Sequence, residues 1–348
     1  MTRPPESRAG TVGVVMLAFG DEPWLPQAIS AVLNSTGVEV NLVLVDNGCT
    51  SDAVDRVKDT PRVTVLRPAE NLGYTGGCRL GAAEAHGEFL AFVNSDAIVD
   101  PEALARISTV AAEEGVGLAM GSIRLAEAPD LINTAGNPLH VAGLSWAGGN
   151  GSPATLYAKR RKIPAGSGCC FVIRRTLWDE VGGFADEYFA YHEDTELSLR
   201  LWQRGLTVEY VPDAVVRHHY QFSRNEGKLY LLERNRLALV LTGFQRRTLI
   251  LLLPVLVVTE AGMLVTALTG RWLGAKIRGW RWLWEHRDWV RARRRQLQAE
   301  RRVPDAHLAP MLTARFDPTN LEAPRGIGPY NALVGGYWRL VRLLLPRH

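Results

Sequence analysis

Cysteine is scarce in this 348-residue chain, with Cys49, Cys78 and the adjacent Cys169 and Cys170 as its four. None lies in a CxxC pair and no histidine stands at zinc-finger spacing, so a zinc module and a small disulfide scaffold are excluded. Net charge is also small, +4 with 22% charged residues against 47% hydrophobic, which excludes a disordered or collagen-like chain. Internal repeats and low-complexity tracts are lacking. Residues 1–10 contain no apolar stretch, so no signal peptide is expected and a cytoplasmic location with reduced thiols is the default. The length suffices for one large or two ordinary domains with a sizeable core. Charge is unevenly placed: residues 271–302 hold eleven Lys and Arg against three acids, a net +8, which leaves −4 on the rest.

From residue 12 to about 125, short apolar runs alternate with helical stretches. Residues 12–19, 40–45, 63–66 and 89–93 read as buried strands, and 23–33, 52–57 and 75–86 as helices, with Pro23 and Asp52 suited to first turns. This alternation predicts a mainly parallel sheet covered on both faces, with ligands beyond the carboxyl ends of its strands. Two strands end in carboxylates, 42–45 at Asp46-Asn47-Gly48 and 89–93 at Asn94-Ser95-Asp96. Asp, Asn and Gly also dominate turns for backbone reasons, so each taken singly is either a polar turn or a site. After a strand at 116–123 comes a Gly-, Pro- and Asn-rich stretch to residue 151 in which no order can be read. A strand at 169–173, a helix near Leu177, a helix at 195–203 ended by Gly205, strands at 207–211 and 214–217, and a helix from about 225 to 241 follow.

Six segments in register resemble the glycosyltransferase family 2 proteins over about residues 12–240: Val43 to Gly48, Glu70 to Gly77, Phe92 to Asp96, Gly182-Gly183-Phe184 with Tyr191 to Leu197, His218, and Glu233-Arg234-Asn235-Arg236. Within that family the chain is similar to the rhamnosyltransferase and galactofuranosyltransferase-like branch. The resemblance implies a GT-A α/β fold, a Rossmann-like sheet flanked by helices, over residues 1–243. It also implies inverting transfer of a sugar from a nucleoside diphosphate, a dTDP- or UDP-sugar with a rhamnose-like sugar favoured, to an acceptor hydroxyl.

The same resemblance assigns roles. Asp46 accepts hydrogen bonds from the base or ribose. Asn71, Gly76 and the surrounding 73–77 glycines let backbone approach the donor. Asn94-Ser95-Asp96 stands where the family holds a divalent cation, Mn²⁺ or Mg²⁺, against the diphosphate. Asn94 replaces the first acid there, so Asp96 is the one full-charge ligand of that motif. His218 matches the family's second ligand, while His219 should point the other way. Asp194 matches the catalytic base, with an ordinary helix N-cap as its alternative. Glu193 orients the acceptor or a basic group. Arg79 stands where the family often has Asn and either meets the diphosphate or is solvated. Arg234 either contacts a phosphate or pairs with a neighbouring acid. Cys169 and Cys170 read as buried strand residues.

Residues 244–348 read as a C-terminal helical, membrane-associating region. The stretch 248–268 is long enough to cross a bilayer but carries Pro254, Glu260 and Gly262. A span, a shallow re-entrant segment and a helix hidden in a protein contact are all open. Trp272, Trp280, Trp282, Trp284 and Trp289, half of the ten tryptophans, lie among arginines including Arg291, Arg293, Arg294 and Arg295. Residues 337–347 repeat that mixture. It is the composition of an interface with anionic lipid, and nucleic acid is not expected as a partner. The expected place is thus the cytoplasmic face of the cell membrane. Together with the resemblance, this implies a polyprenyl-diphosphate-linked glycan acceptor in cell-envelope polysaccharide synthesis. Two rivals are a sugar nucleotidyltransferase, although residues 18–24 lack the Lys or Arg of its phosphate loop, and a non-catalytic membrane scaffold.

Overall fold

The computed structural model describes residues 10–219, 226–318 and 326–346. Strands β1 (Thr11–Gly20), β2 (Glu39–Cys49), β3 (Val63–Leu66) and β4 (Phe89–Val93) alternate with helices α1 (Leu25–Leu33), α2 (Ala53–Val57) and α3 (Gly73–Glu84). Every residue of β4 is buried, as a strand covered on both faces requires. There follow β5 (Ala97–Val99), α4 (Ala103–Ala111), β6 (Val116–Leu125), β7 (Ala128–Thr134), β8 (Leu139–His140), β9 (Arg161–Lys162), β10 (Cys170–Arg174), α5 (Arg175–Val181), α6 (Glu193–Gln203) and β11 (Thr207–His218).

The main sheet has the order β3-β2-β1-β4-β10-β6-β11-β5. It is mostly parallel, but β10 runs against β4 and β6, and β5 against β11. A short apolar run reads alike in both directions, so the sequence carries no mark of these reversals. The two strands expected at 207–211 and 214–217 are one, β11, whose register with β6 shifts between Val211 and Val215. Pro212, which has no N–H for the ladder, sits in that break. The stretch without readable order contains β7 and β8.

The C-terminal helices are α7 (Glu226–Gly243), α8 (Arg246–Thr269), α9 (Leu273–Glu285), α10 (Arg287–Glu300), α11 (Asp305–Leu308) and α12 (Ile327–Leu344), with β12 (Leu312–Thr313) pairing in parallel with β8. Residues 225 and 347, the expected ends of two segments, lie outside the described residues. A second core joins Leu139, Val141 and Leu199 of the sheet half to Leu252, Val255 and Trp338 of these helices. The helical region is therefore built onto the sheet domain.

Glu260 explains how an apolar helix tolerates an acid. Its carboxylate accepts from Arg236 of α7, from Lys276 Nζ of α9 at 2.9 Å and from Trp280 Nε1 at 3.1 Å. Glu233 accepts from the same two cations, Arg236 at 3.0 Å and Lys276 at 2.5 Å. Two acids and two bases thus neutralise one another between α7, α8 and α9. On its other side α8 exposes Ile250, Leu253, Val257, Val258, Val265 and Leu268, and the remaining exposed positions between 250 and 268 are Pro254, Ala261 and Gly262. The Trp and Arg tract differs from its expected use. Trp272 is buried, Trp282 lies under Arg234, Trp289 meets Tyr188, Arg293 pairs with Glu196, and Arg294 donates to the Leu241 and Phe244 carbonyls. Only Trp280 and Trp284 of the five are exposed. Composition gave the tract its mixture but could not say which side of each helix packs on the protein.

Candidate active site

The carboxyl ends of β1, β2 and β4 open onto one edge of the sheet, and the candidate residues gather there. At the end of β2, Asp46 Oδ1 accepts the Cys49 amide at 3.0 Å, and Oδ2 takes Arg67 Nε at 3.1 Å. Asp46 is thus both the turn residue and a charged group at a strand end. Arg67, which sequence reasoning missed, also binds Asp55 at 2.9 Å.

Asn71 and the buried Asn47 hold the start of α3. Asn71 Oδ1 accepts from the Gly73 amide at 2.8 Å and from Asn47 Nδ2 at 2.9 Å, and Asn47 Oδ1 accepts the Leu72 amide at 2.9 Å. Gly73 has φ +69°, and a Cβ there would stand 2.5 Å from the ring and carbonyl oxygen of Phe189, so glycine is required. Two later glycines, Gly77 and Gly81, serve packing. A Cβ on Gly77 would reach 2.2 Å from Leu17 and one on Gly81 2.5 Å from Val15, so they let α3 lie close on the sheet. Gly76 faces Leu72. Arg79 forms an exposed ion pair with Asp186.

Asn94 to Asp96 lie between β4 and β5. The β5–β11 register sets His218 opposite Ala97, which brings His218 Nε2 to 3.1 Å from Asp96 Oδ1. The other ring nitrogen of His218 is 2.9 Å from Asn133 Oδ1. A proton on that nitrogen, donated to Asn133, leaves the Nε2 lone pair facing Asp96. This is the orientation a metal-binding imidazole takes, its far N–H held by a second group. Asn133 lies in β7, within the stretch that had no readable order, so no signal could have found it. His219 turns away as expected, stacking on Trp24 at 3.6 Å between ring centroids and meeting Glu127 at 2.9 Å. Glu22, which sequence reasoning also missed, lies near Asp96 and accepts the Phe19 amide at 2.9 Å; burial raises its carboxyl above the usual range. Among the described residues no group of three His, Cys, Asp or Glu side chains could hold a metal. Asp96 and His218 are a two-residue set of one oxygen and one nitrogen donor.

Helix α6 begins at Glu193, with His192 at its cap in a left-handed conformation. Asp194 therefore lies inside the first turn, two residues beyond the cap position. Its Oδ2 accepts the Gly168 amide at 3.0 Å and its Oδ1 the Thr195 amide at 2.6 Å. Burial raises its carboxyl above the usual range, and these hydrogen bonds offset part of that rise. Glu193 is buried with its Oε2 unpartnered among the described residues. Burial first, then the neighbouring Asp194 charge, pushes it up. The pair is thus unequal, a hydrogen-bonded, half-buried acid beside a buried one that holds its proton longer. Arg234 donates to the Glu187 and Tyr188 carbonyls at 2.7 and 2.8 Å. Cys169 and Cys170 are buried as read, and burial pushes the Cys170 thiol up to about 12.

A mostly parallel sheet with strand-end carboxylates at one edge, followed by an acid–imidazole pair and a helix-borne acid, defines a GT-A glycosyltransferase architecture. Residues 13–182 match the family model described as glycosyl transferase family 2, so the chain carries a glycosyl transferase family 2 domain over that span. It is 27% identical over 234 residues to N-acetylglucosaminyl-diphospho-decaprenol L-rhamnosyltransferase of Mycobacterium tuberculosis, covering 59% of this chain and 75% of the relative. It is 25% identical over 217 residues to a probable glycosyltransferase, YdaM, of Bacillus subtilis, covering 59% of this chain and 49% of that one. Among solved structures, GalNAc-T7 with UDP, GalNAc and Mn²⁺ aligns with a TM-score of 0.55 at 17% identity over 68% of this chain and 48% of its own. A mannosyltransferase of Pyrobaculum calidifontis, in complex with GDP-Man and Mn²⁺, aligns at 0.51 and 14% identity over 98% of this chain and 89% of its own. At these identities the structural likeness speaks for the fold alone.

Proposed function

We propose that the chain is an inverting glycosyltransferase that moves a sugar from a nucleoside diphosphate to a hydroxyl of a polyprenyl-diphosphate-linked glycan. The observation that carries this is the placement of Asp194, a partly buried, hydrogen-bonded carboxylate at the start of α6, on the same sheet edge as Asp46 and the Asp96–His218 pair. Asp46 would take the nucleoside, releasing Arg67 or sharing it. Asp194 would accept the acceptor's proton as its oxygen attacks the anomeric carbon. Attack from the side opposite the leaving diphosphate inverts that carbon in a single displacement. Asp96 and His218 would hold a divalent cation, with imidazole suiting Mn²⁺ better than Mg²⁺. When bound, the cation supplies neutralisation of charge on the leaving diphosphate.

The lipid-linked acceptor is supported by the name of the mycobacterial relative and by α8. That helix is long and apolar enough to cross a membrane, yet Glu260 ties one face of it to α7 and α9. Helix α12 lies antiparallel beside it, through Thr259 to Tyr330 at 2.8 Å and Tyr337 to the Leu251 carbonyl at 2.8 Å. The exposed apolar face would lie in the plane of the cytoplasmic leaflet, an arrangement close to the shallow segment, one of the three that the sequence leaves open. An open groove of about 500 Å³ beside this region, lined by Asp186, Phe189, Tyr230, Arg234 and Trp282 among others, is a route for the acceptor glycan.

Two results test this reading. UDP or dTDP with Mn²⁺ should raise the thermal midpoint, since binding to the native state stabilises it. Asp96→Ala should remove most of the Mn²⁺-dependent part, and a panel of nucleotides without effect would contradict the reading. For the membrane, Leu253→Asp with Val257→Asp should leave the fold intact because both side chains are exposed, yet shift the protein from the pellet to the supernatant in vesicle sedimentation. Unchanged pelleting would place the membrane contact elsewhere.

A further inference from the structure

The segment that delivers Asp194 is held in an unfavourable backbone conformation. Phe189, Tyr191 and His192 have φ of 61°, 68° and 67°, three of the five non-glycine residues with positive φ among the described residues. At Phe189, φ 61° and ψ −59° with an Ala190 N–H to Tyr188 carbonyl bond of 2.6 Å make a γ-turn of the strained hand. Such backbone is unfavourable for a non-glycine residue and persists only where its surroundings enforce it.

One side chain does most of the enforcing. Asn235 of α7, 1% exposed, places Nδ2 2.8 Å from the Tyr188 carbonyl oxygen, 2.8 Å from that of Ala190 and 2.7 Å from that of Tyr191. Its Oδ1 accepts Arg234 Nε at 2.8 Å, which fixes the amide orientation and adds the two Arg234 bonds to the same turn. Arg234 in turn lies over the Trp282 ring at 4.4 Å. From the opposite side the Thr75 amide of α3 binds the Phe189 carbonyl at 3.0 Å, and His192 Nε2 is 3.2 Å from the Gly143 carbonyl.

We infer that Asn235 is a positioning residue for the transfer reaction, which sets where Asp194 stands by clamping the Tyr188, Ala190 and Tyr191 carbonyl groups of the strained turn before it. It does not touch substrate. Asp, although isosteric, would set an acceptor against three acceptors, and Ala would leave the Ala190 and Tyr191 carbonyls without this donor. A base displaced by about 1 Å loses rate by roughly 100-fold, while the nucleotide site on β2, β4 and β11 is unaltered. Because Trp282 belongs to α9, the C-terminal helices help to complete the catalytic geometry.

The inference rests on the proposed glycosyl transfer, and the experiment separates the two. In full-length protein, Asn235→Ala should lower kcat by about 100-fold, leave the donor KM and the affinity for UDP or dTDP with Mn²⁺ within about twofold, and speed amide hydrogen exchange at residues 188–194 but not in β4. In a Tyr191→Gly background, where glycine accepts the left-handed conformation without strain, the same substitution should cost about tenfold less, a coupling that a merely structural role would not produce. Wild-type protein that transfers no sugar would overturn the function. Active wild-type protein with an Asn235→Ala variant of equal kcat, or one whose exchange rises throughout, would overturn the clamp.

Discussion

Asp194→Asn should abolish sugar transfer, with a loss on the order of 10²–10⁴-fold, while nucleotide affinity stays near that of the unmodified protein. The amide has nearly the shape of the carboxylate and its single oxygen can still accept either the Gly168 or the Thr195 amide, so the expected cost to the fold is one local hydrogen bond, and the donor site has no reason to change. What disappears is the proton acceptor. The pH dependence of the unmodified protein carries the same signature. Burial raises the Asp194 carboxyl, and the base works ionised, so rate persists above that raised value and falls as pH drops through it. The acid limb of kcat should therefore lie above the range of about 4 typical of an exposed Asp. An acid limb at or below that range, or an active Asp194→Asn variant, would assign the base elsewhere.

The largest loss of stability is expected from Arg236→Met. Arg236 is buried with Lys276 against Glu233 and Glu260 and also donates to the Ala142 carbonyl at 3.0 Å. Breaking a buried network by removing one partner typically costs about 3–5 kcal/mol, because the remaining charges stay buried and uncompensated. Here one cation would be left against two carboxylates, and α8 would lose its tie to α7. A chemical denaturation midpoint that moves little would mean that water or a rearranged Lys276 compensates. The paired variant Arg236→Met with Glu260→Leu should recover part of the loss, since it removes the orphaned acid along with the cation.

Much of the sheet half was legible because each element follows one period. The run 89–93 matches β4, and 63–66 matches β3. Strand direction was not legible, since β10 and β5 are short apolar runs whose neighbours are set by long-range packing. In the site, Asp46, Asp96 and Asp194 announce themselves as acids at the ends of strands and at the start of a helix. Asn133 and Asn235 do not, because an amide that orients another group has no charge pattern or spacing of its own. The C-terminal third was the least legible. Its apolar, tryptophan and arginine content predicted contact with lipid, but Trp282, Arg293 and Arg294 face the protein, and Glu260 is neutralised by residues 24 positions earlier and 16 later. Helical periodicity tells which residues share a face, not what that face meets.

The most direct test is a transfer assay with the full-length protein, Mn²⁺, a panel of UDP- and dTDP-sugars including a rhamnose donor, and a polyprenyl-diphosphate-linked sugar in vesicles, with the anomeric configuration of the product read by NMR. The proposed function predicts a lipid-linked product whose new bond has the configuration opposite to that of the donor, and none from Asp194→Asn. Retention of configuration, or equal product from that variant, would contradict it.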